Sequence, residues 1–220
     1  MVRGLLASSA TAALIAAVIP AQSATASVTT PSAPPPGKVT VDVVTVNGSG
    51  CRAGTAAVAT SPGNTAFTVT YSDYLAQAGG ASSPTGFRKN CQLNLLVHVP
   101  QGFTYAVTSV DYRGFASLQP GATGVQKASY YFQGASDTTS RTHTFNGPRA
   151  DDWQATDSTD WASLVWAPCG VKRSVNVNTE LRVLLGGSDP AETSFMTMDS
   201  TDGSVSTVYH LAWKECPTAS

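Results

Sequence analysis

The chain has 220 residues, of which only 12% are charged, and its 13 basic and 14 acidic side chains leave a net charge of −1. No basic run exceeds two residues (Arg88-Lys89 and Lys172-Arg173), so the electrostatic footprint of a nucleic-acid binder is missing and nucleic acid is excluded as a partner. Ser, Thr, Asn and Gly supply the polar surface in place of ions, which suits an extracellular β-rich protein.

The first 26 residues read as a signal peptide. Arg3 provides a short positive region, Leu5 to Ile19 an apolar run too short for a membrane span, and Ala24-Thr25-Ala26 a small-x-small cleavage site. Cleavage is expected before Ser27. No second apolar run reaches membrane-spanning length, so no membrane partner is expected after cleavage. Residues 27–38 are Pro-rich and read as an extended linker. Residues 39–216 are long enough for one domain with a sizeable core, and residues 217–220 form a tail. A monomer is expected.

Four cysteines remain after export, Cys51, Cys91, Cys169 and Cys216. An even count in an exported chain reads as two disulfides. Of the three connectivities, Cys51–Cys91 with Cys169–Cys216 pairs neighbours and staples each half. A zinc site from the four thiolates is the rival, but the chain has no Cys-x-x-Cys spacing.

Along the domain, Val39 to Val46 alternates with a slip at Val43-Val44 that predicts a bulged strand. Ala56 to Thr60 is a short strand, followed by a turn at Ser61-Pro62-Gly63-Asn64. Thr65 to Tyr74 sets Phe67, Val69 and Tyr71 on one face. Leu75 to Gly86 is small and Gly/Ser-rich and reads as a mobile loop. The strongest signal is Arg88 to Tyr105. Cys91, Leu93, Leu95, Val97 and Val99 recur every second residue, with Asn90, Gln92, Asn94 and His98 between them. Pro100-Gln101-Gly102 then turns the chain into a returning strand, so a central strand pair is expected. Short strands follow at Val110–Tyr112, Phe115–Leu118, Ala122–Gln133 and Arg141–Phe145. Asn146 to Asp160 reads as a long acidic loop and Trp161 to Ala167 as a strand. Ser174 to Leu185 alternates again, and Ser194–Met198 with Val205–Trp213 predicts a closing hairpin around Asp199 to Gly203. No segment shows capped helical periodicity. Short strands punctuated by turn signals predict an all-β antiparallel sandwich, of jelly-roll or immunoglobulin-like topology, stapled by disulfides.

Several runs occur together in order. They are Val46-Asn47-Gly48-Ser49-Gly50-Cys51, Phe67-Thr68-Val69-Thr70-Tyr71, Arg88-Lys89-Asn90-Cys91-Gln92-Leu93, Val99-Pro100-Gln101-Gly102-Phe103, Asp111-Tyr112-Arg113-Gly114 and Met198-Asp199-Ser200-Thr201-Asp202-Gly203, with a last strand reaching Trp213 and Cys216. This set resembles the secreted actinobacterial and fungal proteins grouped as domain of unknown function 4360. The resemblance covers nearly all of residues 38–216 and implies an exported, cysteine-bearing protein of unassigned activity. It carries no catalytic residue over.

The candidate sites are few. Asp151, Asp152, Asp157 and Asp160, with Trp153 and Trp161, form an oxygen-rich stretch, but its spacing is not that of a calcium loop. His98, His143 and His210 each fall on a predicted strand with no local ligand spacing. No metal or cofactor is expected, and no Gly-x-Ser-x-Gly elbow marks a nucleophile. Aromatic rings beside Asp, Asn and Arg suit sugar stacking or protein recognition, which puts Trp153, Trp161 and Tyr112 forward as binding residues. The reading that results is a non-catalytic extracellular module for carbohydrate or a cell-surface protein. A secreted hydrolase built on the Asp-rich stretch and the histidines, and a structural exoprotein without a site, are the alternatives.

Overall fold

The computed structural model describes residues 32–135, 138–198 and 206–217. The signal-peptide segment and the turn at Asp199 to Gly203 lie outside them. Twelve strands follow one another: β1 Thr40–Asn47, β2 Ala56–Thr60, β3 Ala66–Tyr71, β4 Leu75–Ala78, β5 Arg88–His98, β6 Phe103–Leu118, β7 Thr123–Phe132, β8 Thr139–Asn146, β9 Arg149–Ser158, β10 Ser174–Leu184, β11 Ser194–Thr197 and β12 Thr207–Glu215. They form two antiparallel sheets. One has the order β1-β5-β10-β7-β8; the other runs β2-β3-β12-β6-β11-β4, with β9 added to β6. The fold is an all-β sandwich.

Alternation explains the core. β5 turns Cys91, Leu93, Leu95 and Val97 inward, and β10 adds Val175, Val177, Leu181 and Val183. The other sheet meets them with Phe67, Val69, Tyr71, Tyr105, Tyr112, Tyr209 and Trp213, and all belong to one cluster. Phe67 stacks on Tyr209 at 4.7 Å between ring centres. The predicted slip in β1 is present, as a register shift between Val43 and Thr45 against β5.

The disulfides join Cys51 to Cys91 and Cys169 to Cys216. The first ties the loop after β1 to the head of β5. The second ties the segment before β10 to the end of β12. The described part of the Pro-rich stretch is extended and anchored: Ser32 donates its backbone N–H to the Trp213 carbonyl at 3.0 Å, and Asn64 Nδ2 donates to the Pro35 and Gly37 carbonyls at 3.0 and 2.7 Å.

Five expectations are corrected. β5 and β6 are not a hairpin, because β1 and β10 take both edges of β5 and β6 belongs to the opposite sheet. Pro100 has no N–H with which to extend a ladder, and Gly102 at φ 87° carries the chain across the sandwich. The two strands therefore turn their apolar faces into the shared core from opposite sheets instead of lying side by side. Leu75 to Ala78 is a strand and not a loop; its inward residues, Ala76 and Ala78, are small because the sheets lie close there. The acidic stretch is mostly β9, paired with β6 from Ser109 to Leu118. Trp161 to Ala167 is not a strand. It makes a 3-10 turn over Trp161–Ser163 and a single bridge from Trp166 to Ala106. Finally, β11 and β12 are not a hairpin: β11 pairs with β4 and β6, and β12 with β3 and β6.

Candidate ligand-binding face

The side chains put forward from sequence separate in space. Tyr112 and Trp153 are buried in the core. Gly114 leaves the space that the Trp153 ring fills, and Trp153 Nε1 donates to the Thr197 carbonyl at 3.1 Å. Neither ring offers a face to a ligand, because alternation on β6 and β9 turns both inward. Asp157 also points inward. Its carboxylate bonds His143 Nε2 at 2.8 Å and accepts from the Tyr130 hydroxyl at 3.4 Å. Asp151 pairs with Arg149, and Asp152 and Asp160 are exposed. Asp151 and Asp157 lie six positions apart along the strand, about 20 Å, so these carboxylates do not make one site.

The histidines do not converge either. His98 bonds Asp42 at 2.7 Å, His143 bonds Asp157, and His210 bonds Asp111 at 2.8 Å. The Asp111 carboxyl is held below its ordinary value, first by the Thr156 hydroxyl, which outweighs partial burial, and then by His210. Among the described residues, no three His, Cys, Asp or Glu side chains come together as a metal site. Trp161 remains at the surface. It packs edge-on against Trp166 at 5.2 Å, and Lys214 Nζ lies 5.6 Å from the Trp166 ring centre.

A different surface brings binding chemistry together. The outward positions of β5 and β10, the two neighbouring central strands of the five-stranded sheet, are rich in carboxamides. Antiparallel register sets Asn94 opposite Asn176, Gln92 opposite Asn178, and Asn90 opposite Glu180. On the next strand, β7, Tyr131 lies beside Asn176, Ser129 beside Asn178 and Lys127 beside Glu180. Asn is a poor strand former, so its recurrence here does not follow from backbone preference. Of these residues, Asn90, Gln92, Lys127, Ser129, Asn178 and Glu180 line a depression of about 230 Å³.

Part of the face is fixed by its own bonds. Asn94 Nδ2 donates to Asn176 Oδ1 at 2.9 Å, and the Ser49 hydroxyl donates to Asn90 Oδ1 at 2.9 Å. Arg88 Nε and Arg182 Nη2 each donate to the Glu180 carboxylate at 2.7 Å. Partial burial works to raise the Glu180 carboxyl, but the two arginines outweigh it and hold the group below its ordinary value. Among the described residues, Gln92 and Asn178 find no side-chain partner. Each offers a carbonyl acceptor and two amide N–H donors to the depression.

In the sequence, Asn90, Gln92 and Asn94 are the polar half of an alternating strand. Their neighbours Asn176 and Asn178 lie more than 80 residues on, and only the register of β10 against β5 unites them.

Residues 37–216 match a family described as a domain of unknown function, DUF4360. The chain belongs to this family. A fungal relative from Arthroderma benhamiae, described as an uncharacterized secreted protein, is 38% identical over 185 residues, covering 84% of this chain and 75% of the relative. The DUF4360 chain is accordingly a secreted protein. Among solved structures, the enzymatically active domain of tailspike protein 4 from bacteriophage CBA120 matches with a TM-score of 0.24 and 10% identity, over 81% of this chain and 19% of the tailspike chain. A likeness that weak carries no argument about fold or activity.

Proposed function

We propose that this DUF4360 protein is a non-catalytic extracellular binding module that takes carbohydrate on the outer face of β5, β10 and β7. The observation that carries the reading is the pair of partnerless carboxamides, Gln92 and Asn178, side by side in a depression edged by the Arg88–Glu180–Arg182 group. A carboxamide donates and accepts at once, which suits neighbouring sugar hydroxyls. The pinned carboxylate adds a stronger, charge-assisted acceptor. Tyr131, half-buried beside Asn176, supplies a ring edge at one end.

The test is a glycan array followed by affinity electrophoresis with the glycan retained. Two lost hydrogen bonds at about 1 kcal/mol each predict at least tenfold weaker binding for Gln92→Ala with Asn178→Ala. Both positions lie on the outer face, so the melting temperature should hold. No retained glycan, or full retention by the double variant, overturns the reading. Release of new reducing ends from the bound glycan would place the secreted hydrolase ahead of it.

A further inference from the structure

A cleft of about 400 Å³ lies at the other end of β5. Its walls are Val97 to Tyr105, the corner between β5 and β6, and Ala167 to Arg173, the segment before β10. This is larger than the depression on the amide face and falls in the size range of small-ligand sites.

Both walls are held. The Thr104 hydroxyl donates to the Ala167 carbonyl at 2.5 Å, and the Ala167 N–H donates to the Tyr105 carbonyl at 2.9 Å. The Cys216 N–H donates to the Gly102 carbonyl at 2.8 Å, and Cys216 is itself bonded to Cys169 at the edge of the second wall. A ligand would therefore meet a cleft already shaped, at little ordering cost.

Charge is one-sided here. Lys172 and Arg173 line the cleft and are both exposed, while none of the residues that line it is acidic. Among the described residues Lys172 has no partner. Arg173 donates Nη1 to the Gln133 carbonyl at 2.8 Å, which directs a guanidinium with several remaining donors. His98 also lines the cleft, and its Nε2 is engaged by Asp42. A protein of net charge −1 with 13 cationic side chains places two adjacent cations in this cleft. The remaining lining is mixed: Val97, Val99, Pro100, Phe103 and Pro168 are apolar, and Gln101 and Thr104 are polar.

We infer that this cleft is a second binding site, distinct from the amide face, for a uronate residue of an acidic polysaccharide. Lys172 and Arg173 take the carboxylate. The Pro100, Phe103 and Pro168 side chains offer apolar surface to the C–H face of the sugar ring. The apolar side chains of Pro100, Phe103 and Pro168 argue for a sugar ring over an acyclic phosphate polymer, which has an anionic group but no ring to pack.

The experiment is calorimetric titration of the intact secreted protein with digalacturonate, with its methyl ester as the uncharged control and poly(glycerol phosphate) as the phosphate arm. Digalacturonate should bind saturably and weaken several-fold as salt rises from 50 to 500 mM, since exposed cations are screened over about a Debye length. The ester should bind at least tenfold more weakly. Lys172→Glu should weaken digalacturonate at least tenfold, and Lys172→Gln with Arg173→Gln should do the same, with unchanged melting temperature. Equal binding of acid and ester, binding unaffected by Lys172→Glu, or binding of the phosphate polymer alone overturns the inference. The amide face is tested apart from this, because Gln92→Ala with Asn178→Ala leaves the cleft intact and should not alter digalacturonate binding.

Discussion

At the residue scale, single side chains show how tightly the interior is specified. Gly114 lies on β6 opposite Trp153 of β9, and a methyl group there would meet the Thr197 carbonyl and the Trp153 ring. Gly114→Ala should therefore cost roughly 1–3 kcal/mol, as overpacking of a filled core does. Urea denaturation measures this, and unchanged stability would mean that Trp153 does not fill that space. Glu180 carries a pH-dependent contribution. Its carboxyl is held below 4.5 because the Arg88 and Arg182 bonds outweigh the opposing effect of burial. A carboxyl lowered on folding contributes stability that is fully present above about 4.5 and is lost as pH falls through the folded value. The stability difference between the native chain and Glu180→Gln should be constant at neutral pH and shrink below about pH 4.5. A difference that does not change down to pH 3 would mean that the arginines do not hold this carboxylate.

At the element scale, the two disulfides have different surroundings. Cys51 and Cys91 are each only 1% exposed and belong to the core cluster. Cys169 is exposed and Cys216 half-buried. The bridges close segments of 40 and 47 residues, and chain-entropy estimates give each about 4 kcal/mol. Access to a thiolate governs exchange under native conditions. Mild reduction followed by alkylation and peptide mapping should label Cys169 and Cys216 first, with Cys51 and Cys91 labelled only after unfolding. Simultaneous labelling of all four would show that the first bridge is not shielded by the core. Because Cys169–Cys216 borders the cationic cleft, its reduction should also loosen that wall.

At the scale of the whole molecule, export sets the form in which the protein acts. The mature chain should begin at Ser27, after the Ala24-Thr25-Ala26 site. N-terminal sequencing of protein from culture supernatant reads this directly, and a start at Met1 would refute cleavage. The described part of the Pro-rich stretch is anchored to the domain through Asn64 and Trp213. The two surfaces proposed for recognition are separate, the amide face on one sheet and the cationic cleft at the β5–β6 corner.

Period-two patterning made β3, β5 and β10 legible, and with β5 and β10 the inward face of the five-stranded sheet. A strand with one buried face must place apolar side chains at every second position, and that rule is local. The bulge in β1 was legible for the same reason. β9 was not, because one of its three inward residues is a carboxylate, Asp157, whose burial depends on His143 from another strand. Nor could pattern show that β5 and β6 lie in opposite sheets, since alternation is identical for a strand beside a partner and one opposite it. Composition, the leading segment and an even cysteine count by themselves determined a secreted, disulfide-bonded β protein. The amide face and the cationic cleft were decided only by tertiary structure. Each joins residues about 70 to 90 positions apart, and such pairs are specified by strand register and sheet packing, which no local run of residues encodes.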